Sequence, residues 1–347
     1  MTVDVIIVGQ GIAGSLLAHE LEKRGKTFVI YDKGHMSSST AVSSGLINPI
    51  TGRNYVKSWM IDDFLPVAIT IYQEISSKID TNFVGNKPVI RGIHTPKDEN
   101  QWHSRLAMDG YGEYISEDYD GPEYDDYLRE IFQWGSVKQS CNIHTQDLLS
   151  GLRAHYAAIG VLREEPFLYE DIVMSTSALS YQGIVTEHIV FCDGAQVVNN
   201  PYFNWLPFRP AKGEVVIVRI PGFPDSHIVK HHKFLVPLGD DIFWIGSTYE
   251  WEFKDGSPSA AKRDELVGFL ERYLRVSYEV IDHRAAVRPS TKYRRPFVGE
   301  HPEHERLLIF NGLGTKGISI GPYWAEYLCG LLYDGVHIHS ELPKIAN

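Results

Sequence analysis

Cysteine is scarce in this chain. Its three cysteines, Cys141, Cys192 and Cys329, are far apart and form no CxxC pair, which speaks against a disulfide framework and against a zinc site. Long apolar runs are missing too, so no segment reads as a membrane span. Asp4 interrupts the N-terminal apolar stretch, which is unlike a signal peptide, and a cytoplasmic protein is expected. Basic residues are outnumbered: 33 Lys and Arg against 44 Asp and Glu give a net charge of −11. That balance weighs against non-specific nucleic-acid binding, which relies on basic surface. No low-complexity tract or fixed-period repeat is visible. What remains is an ordinary soluble composition, 43% hydrophobic and 22% charged over 347 residues, enough for one large domain or two smaller ones.

The informative stretch is the first 33 residues. Val3 to Val8 is a short β-branched run of the kind buried on both faces. It leads into Gly9-Gln10-Gly11-Ile12-Ala13-Gly14, a GxGxxG turn, then a helical pattern with Ala13, Leu17, Ala18 and Leu21 on one side, closed by Gly25. A second strand, Thr27 to Tyr31, delivers Asp32. Gly9 suits the tight turn, Gly11 the approach of a pyrophosphate and Gly14 close helix–strand packing, while Asp32 can accept from ribose hydroxyls. Strand, turn, helix, strand and acid in one register predict a dinucleotide site.

Residues 34–47, with Ser39, Thr40, Ser44, Gly45 and Leu46, are dense in hydroxyls and small side chains. Directly after Asp32 and Lys33, they suit a segment lying along a diphosphate and a flavin ring. Residues 58–79 read as helical with Pro66 as a kink or break. Thr145 reads as the cap of a helix ended by Gly160. Val161 to Arg163 and Ile189 to Cys192 read as further buried strands, the latter ending in Asp193-Gly194. Glu214 to Ile220, Lys233 to Val236 and Ile242 to Ile245 read as strands, with a helix over 258–274. The expected fold is α/β. A Rossmann-type dinucleotide-binding domain with a parallel sheet takes 1–80, 140–205 and 285–347. A discontinuous antiparallel-sheet substrate domain takes 81–139 and 206–284.

A second glycine-rich turn lies near the other end. The strand Leu307 to Phe310 runs into Asn311-Gly312-Leu313-Gly314-Thr315-Lys316-Gly317-Ile318 and then a helix containing Pro322 and Trp324. It supplies another set of helix N-terminal amides. A nicotinamide dehydrogenase has no evident need of one. A reduced flavin, negative near N1 and C2=O, does, so the pair of turns favours FAD over NAD.

These residues resemble the D-amino-acid oxidase superfamily of FAD enzymes, which includes glycine and sarcosine oxidases and the oxidase half of a bifunctional tRNA 5-methylaminomethyl-2-thiouridine enzyme. The likeness recurs in Pro210-Ala211-Lys212-Gly213-Glu214, in Phe234 to Pro237 through Ile245 to Thr248, and in Val287-Arg288-Pro289 with Arg295-Pro296-Phe297-Val298-Gly299. The segment Gly312 to Pro322 is most similar to the tRNA subgroup, although Lys316 stands where that subgroup has arginine. Cys192-Asp193 replaces the family's usual Ala-Thr. No cysteine lies near Arg288, so the resemblance implies non-covalent FAD. It also implies oxidation of a C–N bond by hydride transfer to flavin N5, followed by imine hydrolysis.

Arg288 is the expected carboxylate anchor. Lys316 and Tyr249 are further candidates at the substrate, and Arg53 and Tyr55 weaker ones. Phe167, Asp193, Gly194, Gly312, Gly314, Thr315, Gly317 and Ile318 join the first turn as cofactor candidates. The expected partner is a small amine or amino acid. A modified tRNA is a less favoured alternative, given the acidic charge and the lack of a methyltransferase half, and a non-catalytic flavin-binding protein is a third reading. His301-Pro302-Glu303-His304-Glu305 reads as a solvated loop, and His231-His232 and His337-x-His339 have no accompanying Cys or acid at ligand spacing.

Overall fold

The computed structural model describes residues 1–34, 37–119, 124–175 and 178–346. His35 and Met36, within the hydroxyl-rich loop, lie outside the described residues, as do 120–123 of the acidic stretch.

The N-terminal pattern folds as its periodicity demands. The strand Thr2–Val8 is almost wholly buried, the helix Ile12–Lys23 follows, and Gly25 closes it at φ +66°. The strand Phe28–Tyr31 pairs in parallel with the first. Three more parallel strands join them: Leu162–Arg163, Ile184–Phe191 and Leu307–Asn311. Counted in chain order as one to five, they lie side by side as 3-2-1-4-5. In such a sheet the order reverses between strands one and four, and the crevice at their carboxyl ends is where a dinucleotide sits. Ile184–Phe191 serves two neighbours. Its first half pairs antiparallel with Leu179–Tyr181 and its last residues pair in parallel with Leu307–Ile309.

A second eight-stranded sheet is antiparallel except where Ile228–Lys230 meets Val89–Ile93. Its strands Glu279–Arg288, Ala211–Arg219, Ile242–Gly246 and Phe234–Gly239 lie in that order. Alternation puts Val215, Val236, Trp244 and Ala286 into the main core shared with the helices of the nucleotide-binding layers. The opposite face, with Val216, Val218, Leu235 and Phe243, packs on Leu266, Phe269 and Leu270 of the helix Ala260–Tyr273.

Two local expectations are corrected. Pro66 does not split its helix into two: Ile61–Lys78 is one helix. The proline removes one amide donor, which the buried stripe Ile61, Phe64, Leu65, Ala68, Ile71, Tyr72 and Ile75 outweighs. Thr145 does not cap the helix Thr145–Ala158 but is its first residue. Its hydroxyl donates to the Ser43 carbonyl and ties that helix to the loop after Asp32.

Candidate active site

Four strand ends supply the floor of the site: Gly9 after Val8, Asp32 after Tyr31, Asp193 after Phe191, and Asn311. They border a cavity of about 1570 Å³. Gly9 is held at φ +97°, with room for a Cβ only 2.7 Å from the Cys192 carbonyl oxygen. Gly11 faces nothing closer than the Thr40 hydroxyl at 3.7 Å, so its side is open to the cavity. Thr40 accepts from the Ile12 amide, the first of the helix N-terminal donors, at 3.1 Å.

The last helix, Gly317–Tyr333, brings its N-terminus to the same place. A Cβ on Gly317 would meet Ile12 Cγ2 at 3.0 Å, and one on Gly321 would meet Leu16 at 2.8 Å. Two loops from opposite ends of the chain therefore converge on one cavity. Asn311 ties the floor together: its Nδ2 donates to Asp193 Oδ1 (2.8 Å) and to the Gly194 carbonyl (2.9 Å), while its Oδ1 accepts from the Gly312 amide.

Most sequence candidates reach the wall. Ile12, Ala13, Lys33, Ser39, Thr40, Ser44, Gly45 and Leu46 line it, as do Phe167, Gly194, Gly314, Thr315, Lys316, Gly317 and Ile318. Two glycines do not. Gly14 lies behind, where a Cβ would stand 1.9 Å from the Gly9 carbonyl oxygen, so it sets helix–strand packing. Gly312 makes the turn at φ +83° against Thr291. Tyr249 is no wall residue either: it is 46% exposed and sits at the rim.

Both acids are already engaged. Asp32 accepts from the Gln10 and Gly34 amides and from Arg153 at 2.9 Å. Asp193 accepts from Asn200, Tyr169 and Asn311, and burial pushes its carboxyl up to about 6. Arg153 was not among the sequence candidates; an arginine mid-helix carries no local sign that it will reach a strand end 121 residues away.

Arg288 ends the strand Glu279–Arg288 with its guanidinium flat on Gly213, where a Cβ would lie 1.9 Å from Nη2. Nη2 donates to Ser247 Oγ at 2.8 Å, whereas Nη1 is buried and has no hydrogen-bond partner. No carboxylate pairs with Arg288 among the described residues, and burial lowers its pKa from the ordinary arginine value. Ser247 and Gly213 were missed as its supports, although the Lys212-Gly213-Glu214 segment carried the family likeness. Lys316 donates to Ser58 Oγ at 3.0 Å, and burial, with Arg295 nearby, pulls its ammonium down to about 8.

A separate histidine group gains a member from elsewhere in the chain. Folding sets His94 beside His231 and His232, with ligand-capable atoms within 4.8 Å of one another. Yet His231 Nε2 donates to the Arg129 carbonyl and its Nδ1 accepts from the His232 amide, leaving no lone pair for an ion. The His94 and His232 rings stack with a 16° interplanar angle, which keeps their nitrogens from aiming at one point. His301, read as solvated, is buried against Phe203 and His304.

Fold and cavity together define a dinucleotide-binding α/β architecture, with an unpaired cation facing the cofactor cavity. More specifically, the chain belongs to the DAO family of FAD-dependent oxidoreductases, whose model matches residues 4–331. Relatives include glycine oxidase of Bacillus licheniformis, 21% identical over 95% of this chain and 92% of its own length. The bifunctional tRNA 5-methylaminomethyl-2-thiouridine biosynthesis protein of Marinobacter nauticus is 21% identical over 93% of this chain but 54% of its own length. Among solved structures, glycine oxidase of Geobacillus kaustophilus superposes with a TM-score of 0.81 at 22% identity, covering 96% of this chain and 95% of that one. Iminodiacetate oxidase of Chelativorans sp. BNC1 gives 0.80 at 19%, covering 98% of each. FAD is the cofactor. The open side of Gly11 and the paired helix N-termini fit a dinucleotide diphosphate. No helix among the described residues is long and apolar enough to cross a membrane.

Proposed function

We propose that this enzyme oxidises the C–N bond of a small amine or amino acid bearing a carboxylate, with Arg288 as the carboxylate anchor. The observation that carries this reading is the buried, unpartnered Nη1 of Arg288 in the cavity wall. A guanidinium removed from water with one donor edge unused is costly, and a carboxylate relieves it with charge-assisted bonds. FAD, when bound, supplies the two-electron acceptor for hydride removal; the imine released is hydrolysed by water. The chain's part is positioning. Ser247 and the Gly213 backbone fix the guanidinium plane, and the sheet face carrying Trp244 and Phe234 closes the cavity opposite the two glycine turns. In this reading Lys316 is a second cation in the wall, 1–80, 140–205 and 285–347 form the non-covalent FAD-binding part, and the protein works in the cytoplasm.

Exchange of Arg288 for alanine is expected to raise KM for a carboxylate-bearing amine by about 10- to 150-fold, the worth of hydrogen bonds to a charged group. An unchanged KM would remove Arg288 from the site. A second substrate class, the carboxymethyl group of a modified tRNA wobble uridine, is favoured by the match to the bifunctional tRNA protein. Anaerobic bleaching of the flavin by modified tRNA, but not by glycine, sarcosine or proline, would select it.

A further inference from the structure

The acid that follows the second strand is already crowded. Asp32 lines the cavity at the point where the register of strand, turn and helix puts an adenosine ribose. A carboxylate offers about four lone-pair sites. Oδ2 accepts from the Gln10 amide at 2.7 Å, and Oδ1 accepts both from the Gly34 amide at 2.8 Å and from Arg153 Nη1 at 2.9 Å. The two amides are backbone donors that come with the local turns. The third donor arrives from a helix far along the chain, and it fills Oδ1.

Arg153 is not placed to step aside for a ligand. Its helix, Thr145–Ala158, is anchored by the buried Leu148, Leu149, Leu152 and Tyr156. Its Nη1 is shared with Gln10 Oε1 at 2.9 Å, on a side chain wholly shut from solvent. Its Nη2 donates to the Asp32 carbonyl at 3.3 Å and meets Glu164 Oε2 at 3.1 Å. A planar fork engaged along both arms keeps one orientation. Neither Arg153 nor Gln10 lines the cavity, so the guanidinium acts on a bound nucleotide only through Asp32.

We propose that Arg153 limits Asp32 to a single ribose hydroxyl. Oδ2 keeps one lone pair, which takes either the 2′- or the 3′-hydroxyl of the FAD adenosine ribose. Oδ1, filled by Gly34 and Arg153, has no room for the other. Arg153 is thus a positioning residue that sets how the cofactor ribose is read, whichever amine the enzyme oxidises.

The test measures binding of FAD and of its 2′-deoxyadenosine and 3′-deoxyadenosine analogues to the full-length protein stripped of flavin, by the change in flavin fluorescence. In the unmodified protein one analogue is expected to bind about 10- to 150-fold more weakly than FAD, the worth of a hydrogen bond to a charged group, and the other within about threefold of it. In Arg153→Met, Oδ1 regains a lone pair, and both analogues are expected to bind at least about tenfold more weakly than FAD. Ratios to FAD are the readout, because general damage to the site weakens all three dinucleotides alike. Equal ratios for the two analogues in the unmodified protein, or an unequal pair that survives in Arg153→Met, overturn the inference. If Arg153→Met does not fold, the comparison within the unmodified protein decides.

Discussion

The two glycine-rich turns look alike on paper and are built differently. In the N-terminal turn the glycines are demanded by backbone: Gly14 abuts the Gly9 carbonyl at 1.9 Å from where a Cβ would be, and Gly9 abuts the Cys192 carbonyl at 2.7 Å. In the C-terminal turn Gly312 and Gly314 are demanded mainly by dihedral angle, φ +83° and +59°, and Gly317 faces only side chains, Ile12 most closely and Leu313 behind it. A backbone atom held in a sheet cannot retreat; a side-chain methyl can. The first turn is thus rigidly fixed to the parallel sheet. The second is held to it by Asn311, bridging Asp193 and Gly194.

This contrast orders the expected effects of substitution. Gly14→Ala should be the most damaging, costing about 3 kcal/mol or more through overpacking against immovable backbone. It should yield protein without retained FAD, and a yellow, fully loaded preparation of normal Tm would show that the first turn is not rigid.

Next comes the link between the turns. Asp193 has its folded pKa raised to about 6 from an ordinary 3.8, because burial opposes its charge. The folded state holds that proton more tightly than the unfolded state. The stability this group adds is full below 3.8 and is lost as pH rises through about 6, roughly 3 kcal/mol in all. Denaturant titrations across that window should show this fall in the ligand-free protein and lack it in Asp193→Asn; parallel slopes would contradict the link.

Gly314→Ala should cost about 1–2 kcal/mol, the left-handed backbone penalty, with Gly314→Asn milder. Gly317→Ala should cost least, about 1 kcal/mol, because Ile12 can shift. If Gly317→Ala destabilised as much as Gly14→Ala, the distinction between the two turns would be lost.

Much of this was legible before folding because it is local. A β-branched run, a GxGxxG turn, a helical period and an acid in fixed register constrain one another within 33 residues, so the first βαβ unit follows from the sequence alone. Ile189 to Cys192 and Leu307 to Phe310 were legible as buried strands for the same reason, although the first begins earlier, at Ile184, and ends at Phe191. What failed were claims about a single side chain's partner. Thr145 carries a capping residue's hydroxyl, but that hydroxyl donates to the Ser43 carbonyl and caps nothing. His94, set beside His231-His232 by the strand Val89–Ile93, was not legible at all, since nothing local links them.

The sequence by itself pointed to a bound dinucleotide and, through two glycine turns, favoured FAD over NAD, because helix N-termini and glycine turns are set by near neighbours. Only the tertiary structure decided that Arg288 lies flat on Gly213 with one donor edge unused, that Asp32 answers to Arg153, and that Tyr249 stands at the rim. Those facts depend on strands and helices far apart in the chain meeting in one register. Burial and charge pairing are properties of that meeting and are not carried by any single stretch of residues.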